Sequence, residues 1–174
     1  MARERRRRIR EQIKVYVITY LAYSVIHFEK VFWSSSKTAI SKKHPDELSK
    51  KIISGFDTAS LLCYGFSLYI CGVLGDNYNQ RKVLTFGMTC MSICYFLLSL
   101  LGFFDVTNQV PFYLILSMIG TFNAFLLPCM ISINGNWFAK KSRGLLIGVW
   151  MSCNNFGNIV GMQLAALITS FVGD

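Results

Sequence analysis

Apolar residues gather in long runs along this chain, and charge is confined to short clusters between them. Five runs, at roughly 13–33, 52–74, 83–104, 111–136 and 144–172, reach about the 20 residues that a helix needs to cross a bilayer. The connections after the second, third and fourth runs are short. Short links force antiparallel neighbours, so the pattern predicts an up-and-down bundle for runs two to five. Pro111 suits the first turn of its helix. Pro128 lies inside the fourth run and is expected to kink it. The division that follows is a basic arm over 1–14 and a five-helix membrane region over 15–174.

Composition agrees with the bilayer as solvent. The chain has 174 residues, 53% of them hydrophobic and 16% charged, where soluble domains carry about 25% charge. The expected fold class is therefore all-α integral membrane. Cys63, Cys71, Cys90, Cys94, Cys129 and Cys153 all fall inside apolar runs, none with a histidine at metal-ligand spacing. They read as small buried hydrophobes, and no metal or cofactor is expected. No nucleophile–base pair, Walker loop or HExxH occurs, which argues against an enzyme.

Charge gives the orientation. The arm MARERRRRIREQIK, the Gly75–Lys82 turn and the Ala139–Arg143 turn share one side and carry seven, two and three cations. The Ser34–Lys51 loop, on the other side with the Asp105–Val110 turn, carries five. The excess sets the N-terminus on the cytoplasmic side, or the matrix side of a mitochondrion. Lys140, Lys141 and Arg143 then read as topology determinants. Glu4 and Glu11 interrupt the arm, which argues against a cleaved presequence. Arg5, Arg6, Arg7 and Arg8 have no aromatic-interleaved surface beside them. They are expected to meet phospholipid headgroups or an acidic protein partner rather than nucleic acid.

Within the runs, Gly144–Gly148 and Gly157–Gly161 are small-xxx-small pairs that allow close helix packing. Glu29 and Lys30 are intramembrane charges, about 100° apart on a helix. His27 lies about one turn from Lys30 and reads either as its contact or as a hydrogen-bonded structural residue. Asp57 reads as a helix N-terminal acid. Trp33 and Trp137, with Tyr16 and Tyr113, read as interfacial anchors.

The stretch GVLGDNYNQRK, from Gly72 to Lys82, has a glycine-ended helix, Asp76, and the cations Arg81 and Lys82. It resembles the loop between helices two and three of the major facilitator superfamily, with Asn77 and Asn79 where that family usually has Arg and Gly. The segment Gly135-Asn-Trp-Phe, Lys140, Arg143-Gly-Leu, Gly148-Val-Trp and Gly157-Asn-Ile-x-Gly161 resembles the eukaryotic sugar-phosphate exchangers, in the organophosphate:phosphate antiporter branch. Tyr23, His27, Ser34 and Lys37 resemble that family's first helix. The resemblance implies the N-terminal bundle of such a transporter, truncated to five helices, and a phosphate site at Lys30, His27, Cys153 and Asn154. Lys30 stands where the family has its first-helix Arg, and the fifth helix has no His. The chain reaches Asp174 with five spans, whereas transporters of this fold pair two six-helix halves. These departures favour a transport-inactive subunit built with other membrane subunits into a larger assembly, a mitochondrial respiratory complex being one candidate. The alternative is the N-terminal part of an active antiporter that exchanges sugar phosphate or glycerol 3-phosphate for phosphate.

Overall fold

A computed structural model of the chain describes residues 2–138 and 140–172, without the side chains of 2, 74–77, 140, 141, 169, 171 and 172. Six helices make up the described residues: α1 (Ala2–Lys43), α2 (Lys50–Asn77), α3 (Gln80–Phe103), α4 (Gln109–Trp137), α5 (Lys140–Trp150) and α6 (Cys153–Val172). Three of them, α2, α3 and α4, have the length and apolar composition to cross a membrane. The fold is all-α and that of an integral membrane protein in contact with lipid.

The helix limits differ from the sequence pattern in three places. The basic arm is not a separate element, because helix begins at Ala2 and continues for 42 residues. No glycine or proline interrupts 2–43, and Arg, Glu and Gln are good helix formers. Glu4 sits in the first turn, where negative charge is favoured. The Ser34–Lys51 loop shrinks to residues 44–49. Ser35 and Ser36 donate to the carbonyls of Val31 and Phe32 (3.2 and 2.9 Å), so these polar side chains bond within the helix. The helix ends only as Pro45 approaches, which disfavours helical backbone at the preceding residue. The fifth run is divided at Met151–Ser152 into α5 and α6. By contrast, α4 runs through Pro128 without interruption.

Residues 37–133 form one compact unit, and the described residues of 2–36 and 134–172 form another. In the first, Phe56 stacks on Phe112 (5.6 Å, 11°) and meets Tyr113 edge-on (4.6 Å). A Cβ at Gly120 would overlap the carbonyl oxygen of Ser60, so α2 and α4 touch at backbone level there. Tyr113 lies over Gly55 and acts as a helix–helix filler rather than an interfacial anchor.

Asp57 does more than favour a helix N-terminus, because it pairs with Lys37 of α1. Lys37→Met strips Asp57 of this cation and is expected to cost about 1–2 kcal/mol. The double change Lys37→Met/Asp57→Leu should recover most of that loss. Thermal unfolding in detergent measures both.

Candidate functional site

The second unit holds most of the residues that carry the resemblance to the sugar-phosphate exchangers, while Lys37 and the Gly72–Lys82 stretch belong to the first. Thr19, Tyr23 and Ile26 are buried along one face of α1, and Lys30 continues that row at helical spacing. Trp150, at the end of α5, is 1% exposed and meets this face. Its Nε1 donates to Thr19 Oγ1 (3.1 Å), and Asn134 Nδ2 donates to the same oxygen (3.1 Å). The Thr19 hydroxyl in turn donates to the Val15 carbonyl (2.9 Å). Three buried polar side chains are thereby bonded to one another, as burial requires. Thr19→Val would leave two buried donors without this acceptor, at about 2–3 kcal/mol. A fall in melting temperature, partly reversed by adding Trp150→Phe, is the expected result.

Tyr23 stacks on Trp150 (5.3 Å, 27°) and meets the edge of His27 (5.0 Å). The helix α6 runs close against the same stretch of α1. A Cβ at Gly157 would overlap the Ser24 carbonyl oxygen and crowd His27, and one at Gly161 would press on Val31 and Phe28. His27 hydrogen-bonds Asn158 of α6, while its Nε2 is buried with no partner among the described residues. Lys30 is half-buried. Among the described residues, no carboxylate lies in ion-pair range of Lys30, and Glu29 has no cation. Glu29, turned 100° away, does not neutralise its neighbour by direct pairing.

The other two proposed anion contacts lie elsewhere on α6. Cys153 is fully buried, with its thiol 3.9 Å from Asn154 Oδ1. Both belong to the break beside Tyr20, whose hydroxyl is 3.2 Å from Ser152 Oγ. Across that break, the N–H groups of Met151, Ser152, Asn154 and Phe156 bond to carbonyls three or four residues back. These four bonds carry the chain through the break with helical turns on either side. His27 thus faces α6 with Lys30 one turn further along α1, while Cys153 and Asn154 stand at the start of α6, about a turn before Gly157.

The remaining motif residues divide between packing and exposure. Gly157 and Gly161 pack on α1, whereas a side chain at Gly144 or Gly148 would meet nothing within 4 Å. The two pairs have the same spacing, but only one faces a helix among the described residues. Arg143 reaches back to the end of α4, where its Nη2 donates to the Phe138 carbonyl (3.5 Å) and its guanidinium lies over Gly135. Gln12 donates to the Trp137 carbonyl (2.6 Å). Cation and amide together cap the negative end of α4. Tyr16 donates to the Leu146 carbonyl (2.9 Å), tying α1 to α5. In the Gly72–Lys82 motif, Asn79 caps α3 by accepting from the Arg81 N–H (3.1 Å), and Gly72 faces open space. The side chain of Asp76 lies outside the described residues, as do those of Lys140 and Lys141. Arg5, Arg6, Arg7 and Arg8 are exposed on the first turns of α1.

The tie between Thr19, Asn134 and Trp150 and the bond from His27 to Asn158 were not foreseen from sequence. Thr19 and Asn134 are polar residues inside apolar runs, which was the available signal.

The profile of the Major Facilitator Superfamily matches residues 16–173. Sugar phosphate exchanger 3 of Xenopus laevis is 28% identical over 91% of this chain and 37% of its own length. Its human counterpart shows the same identity and coverage. An Arabidopsis thaliana protein provisionally named glycerol-3-phosphate transporter 5 is 31% identical, over 92% of this chain and 35% of its own length. The chain spans little more than a third of the curated relatives it matches. No solved structure matches it.

Proposed function

Because the chain belongs to the major facilitator superfamily, we propose that it supplies the N-terminal part of a carrier that exchanges an organophosphate for inorganic phosphate. Lys30 is its anion contact, with His27 beside it. The observation that carries this reading is the Lys30 ammonium, half-buried in α1 with no carboxylate pairing it among the described residues. One turn away, the His27 Nε2 is buried with no hydrogen-bond partner among the described residues. Unpaired charge inside a membrane helix is expensive unless a ligand or partner completes it. A phosphate dianion would do so. In transporters of this fold the site lies between two halves, so a second half would provide the remaining contacts. Lys30 offers a point charge rather than the two-pronged grip of arginine.

The names of the relatives, matched along nine-tenths of the chain, favour exchange over the transport-inactive subunit that the missing Arg and His suggest. We also assign the N-terminus to the cytoplasmic or matrix side and set Arg5–Arg8 against anionic headgroups, on the distribution of cations.

The test is reconstitution of the gene's full product into phosphate-loaded liposomes, followed by uptake of labelled phosphate, glycerol 3-phosphate and glucose 6-phosphate. Exchange that Lys30→Ala removes supports the proposal. Absence of exchange, with comigration of the protein in a large complex on a native gel, would establish the subunit reading in its place.

A further inference from the structure

The turn from α3 to α4 contains Asp105, which is the one non-glycine residue with positive φ (54°) among the described residues. The N–H groups of Asp105 and Val106 bond to the carbonyls of Gly102 and Leu101 (3.3 and 3.0 Å), closing α3 with a left-handed cap. Glycine adopts this conformation without steric strain, so aspartate needs another reason to stand here. Its carboxylate receives an ion pair from Lys43 (2.7 Å), the last residue of α1, and a hydrogen bond from His44 Nε2 (2.9 Å), the residue after it. Lys43, and after it His44, hold the Asp105 carboxyl below the usual carboxylate range. The other ring nitrogen of His44 faces Glu47 Oε2 at 3.7 Å. Gln109 of α4 donates to the Glu47 carbonyl (2.9 Å). Behind this cluster lies a cavity of about 160 Å³, walled by Ala39, Ile40, Leu48, Leu101 and Phe112.

We propose that Lys43, His44 and Asp105 form an ionic clasp that fixes the end of α1 to the α3–α4 turn, and that acid tightens it by charging His44. Each ring nitrogen of His44 faces a carboxylate, and only the charged imidazole can donate to both. The charged groups facing it are Lys43, Glu47 and Asp105. Asp46 of the same connection and Lys50 and Lys51 at the start of α2 make no ion pair among the described residues, and α3 and α4 present the uncharged Leu101, Gly102 and Phe112. The added hold exists only in the charged form of His44, in which both ring nitrogens donate.

Hydrogen exchange of the intact chain in nanodiscs, at pH 5.5 and 7.5 and corrected for intrinsic rates, tests the clasp. Residues 39–44 should open several-fold less often at pH 5.5. His44→Gln should remove that difference. Asp105→Gly should loosen 39–44 at both pH values, although it gives the turn its preferred residue. Lys43→Met, at an exposed position, should loosen them while the pH difference persists. The clasp is refuted by a pH difference that survives in His44→Gln. It is equally refuted if Asp105→Gly or Lys43→Met leaves 39–44 as protected as the unaltered chain.

Discussion

A leucine at position 157 is expected to keep the chain from reaching its fold. The Gly157 Cα lies so close to α1 that even a Cβ would overlap the carbonyl oxygen of Ser24 and crowd His27. The obstacle is backbone, which cannot rotate aside as a side chain can. Separating α1 from α6 would also strain two features near that crossing, the stack of Tyr23 on Trp150 and the bond from Trp150 to Thr19. Adding atoms to a packed core usually costs about 1–3 kcal/mol. A branched side chain against backbone exceeds that range and approaches the whole stability of a domain, about 5–15 kcal/mol. Gly148→Leu provides the control, since space there is open and an exposed helix position should tolerate the change within about 0.5 kcal/mol. Size-exclusion profiles and melting curves of the two variants in detergent should differ sharply. Equal behaviour would mean that α6 does not lie against α1 as described.

Lys30→Ala is expected to reduce organophosphate exchange by roughly 30- to 150-fold, the factor that loss of a charged hydrogen bond of about 2–3 kcal/mol implies. Lys30→Arg should retain exchange, because a guanidinium keeps the charge and can grip two phosphate oxygens. Lys30→Gln should behave like alanine. Melting temperatures of all three should stay near that of the unaltered protein, since no ion pair is broken among the described residues. A general loss of stability would instead assign Lys30 to packing. Initial rates in proteoliposomes, read beside the melting curves, separate these outcomes.

The helices were legible because apolar runs of membrane length permit few other structures. The limits were less legible. The first apolar run ended at Trp33 and a loop was expected from Ser34, yet Ser35 and Ser36 bond within the helix and α1 extends to Lys43. The break at Met151–Ser152 carries neither glycine nor proline, the usual local signals. Spacing marked both glycine pairs in the last run but could not say which one would find a helix. Gly157 and Gly161 do, and Gly144 and Gly148 do not, because contact depends on the direction each face takes after folding.

The candidate site was legible as a set of residue types and only partly as geometry. The spacing of His27 and Lys30, one helical turn apart, was legible in the sequence. Cys153 and Asn154 joined them through resemblance alone, and the fold sets those two at the break. Thr19 and Asn134 stand 115 positions apart in the chain and share a hydrogen bond. His44 and Asp105 stand 61 apart. Contacts at such separations leave no periodic trace in a single sequence. The cations of the 139–143 turn were read for topology, and Arg143 proves to cap α4 as well.

Uptake of labelled phosphate by liposomes containing the gene's full product, with and without unlabelled phosphate inside, tests the central claim most directly. An exchanger should take up label only when the liposomes are preloaded, and external glycerol 3-phosphate or glucose 6-phosphate should compete with it. Uptake that is the same with empty liposomes, or no uptake under either condition, would contradict the account.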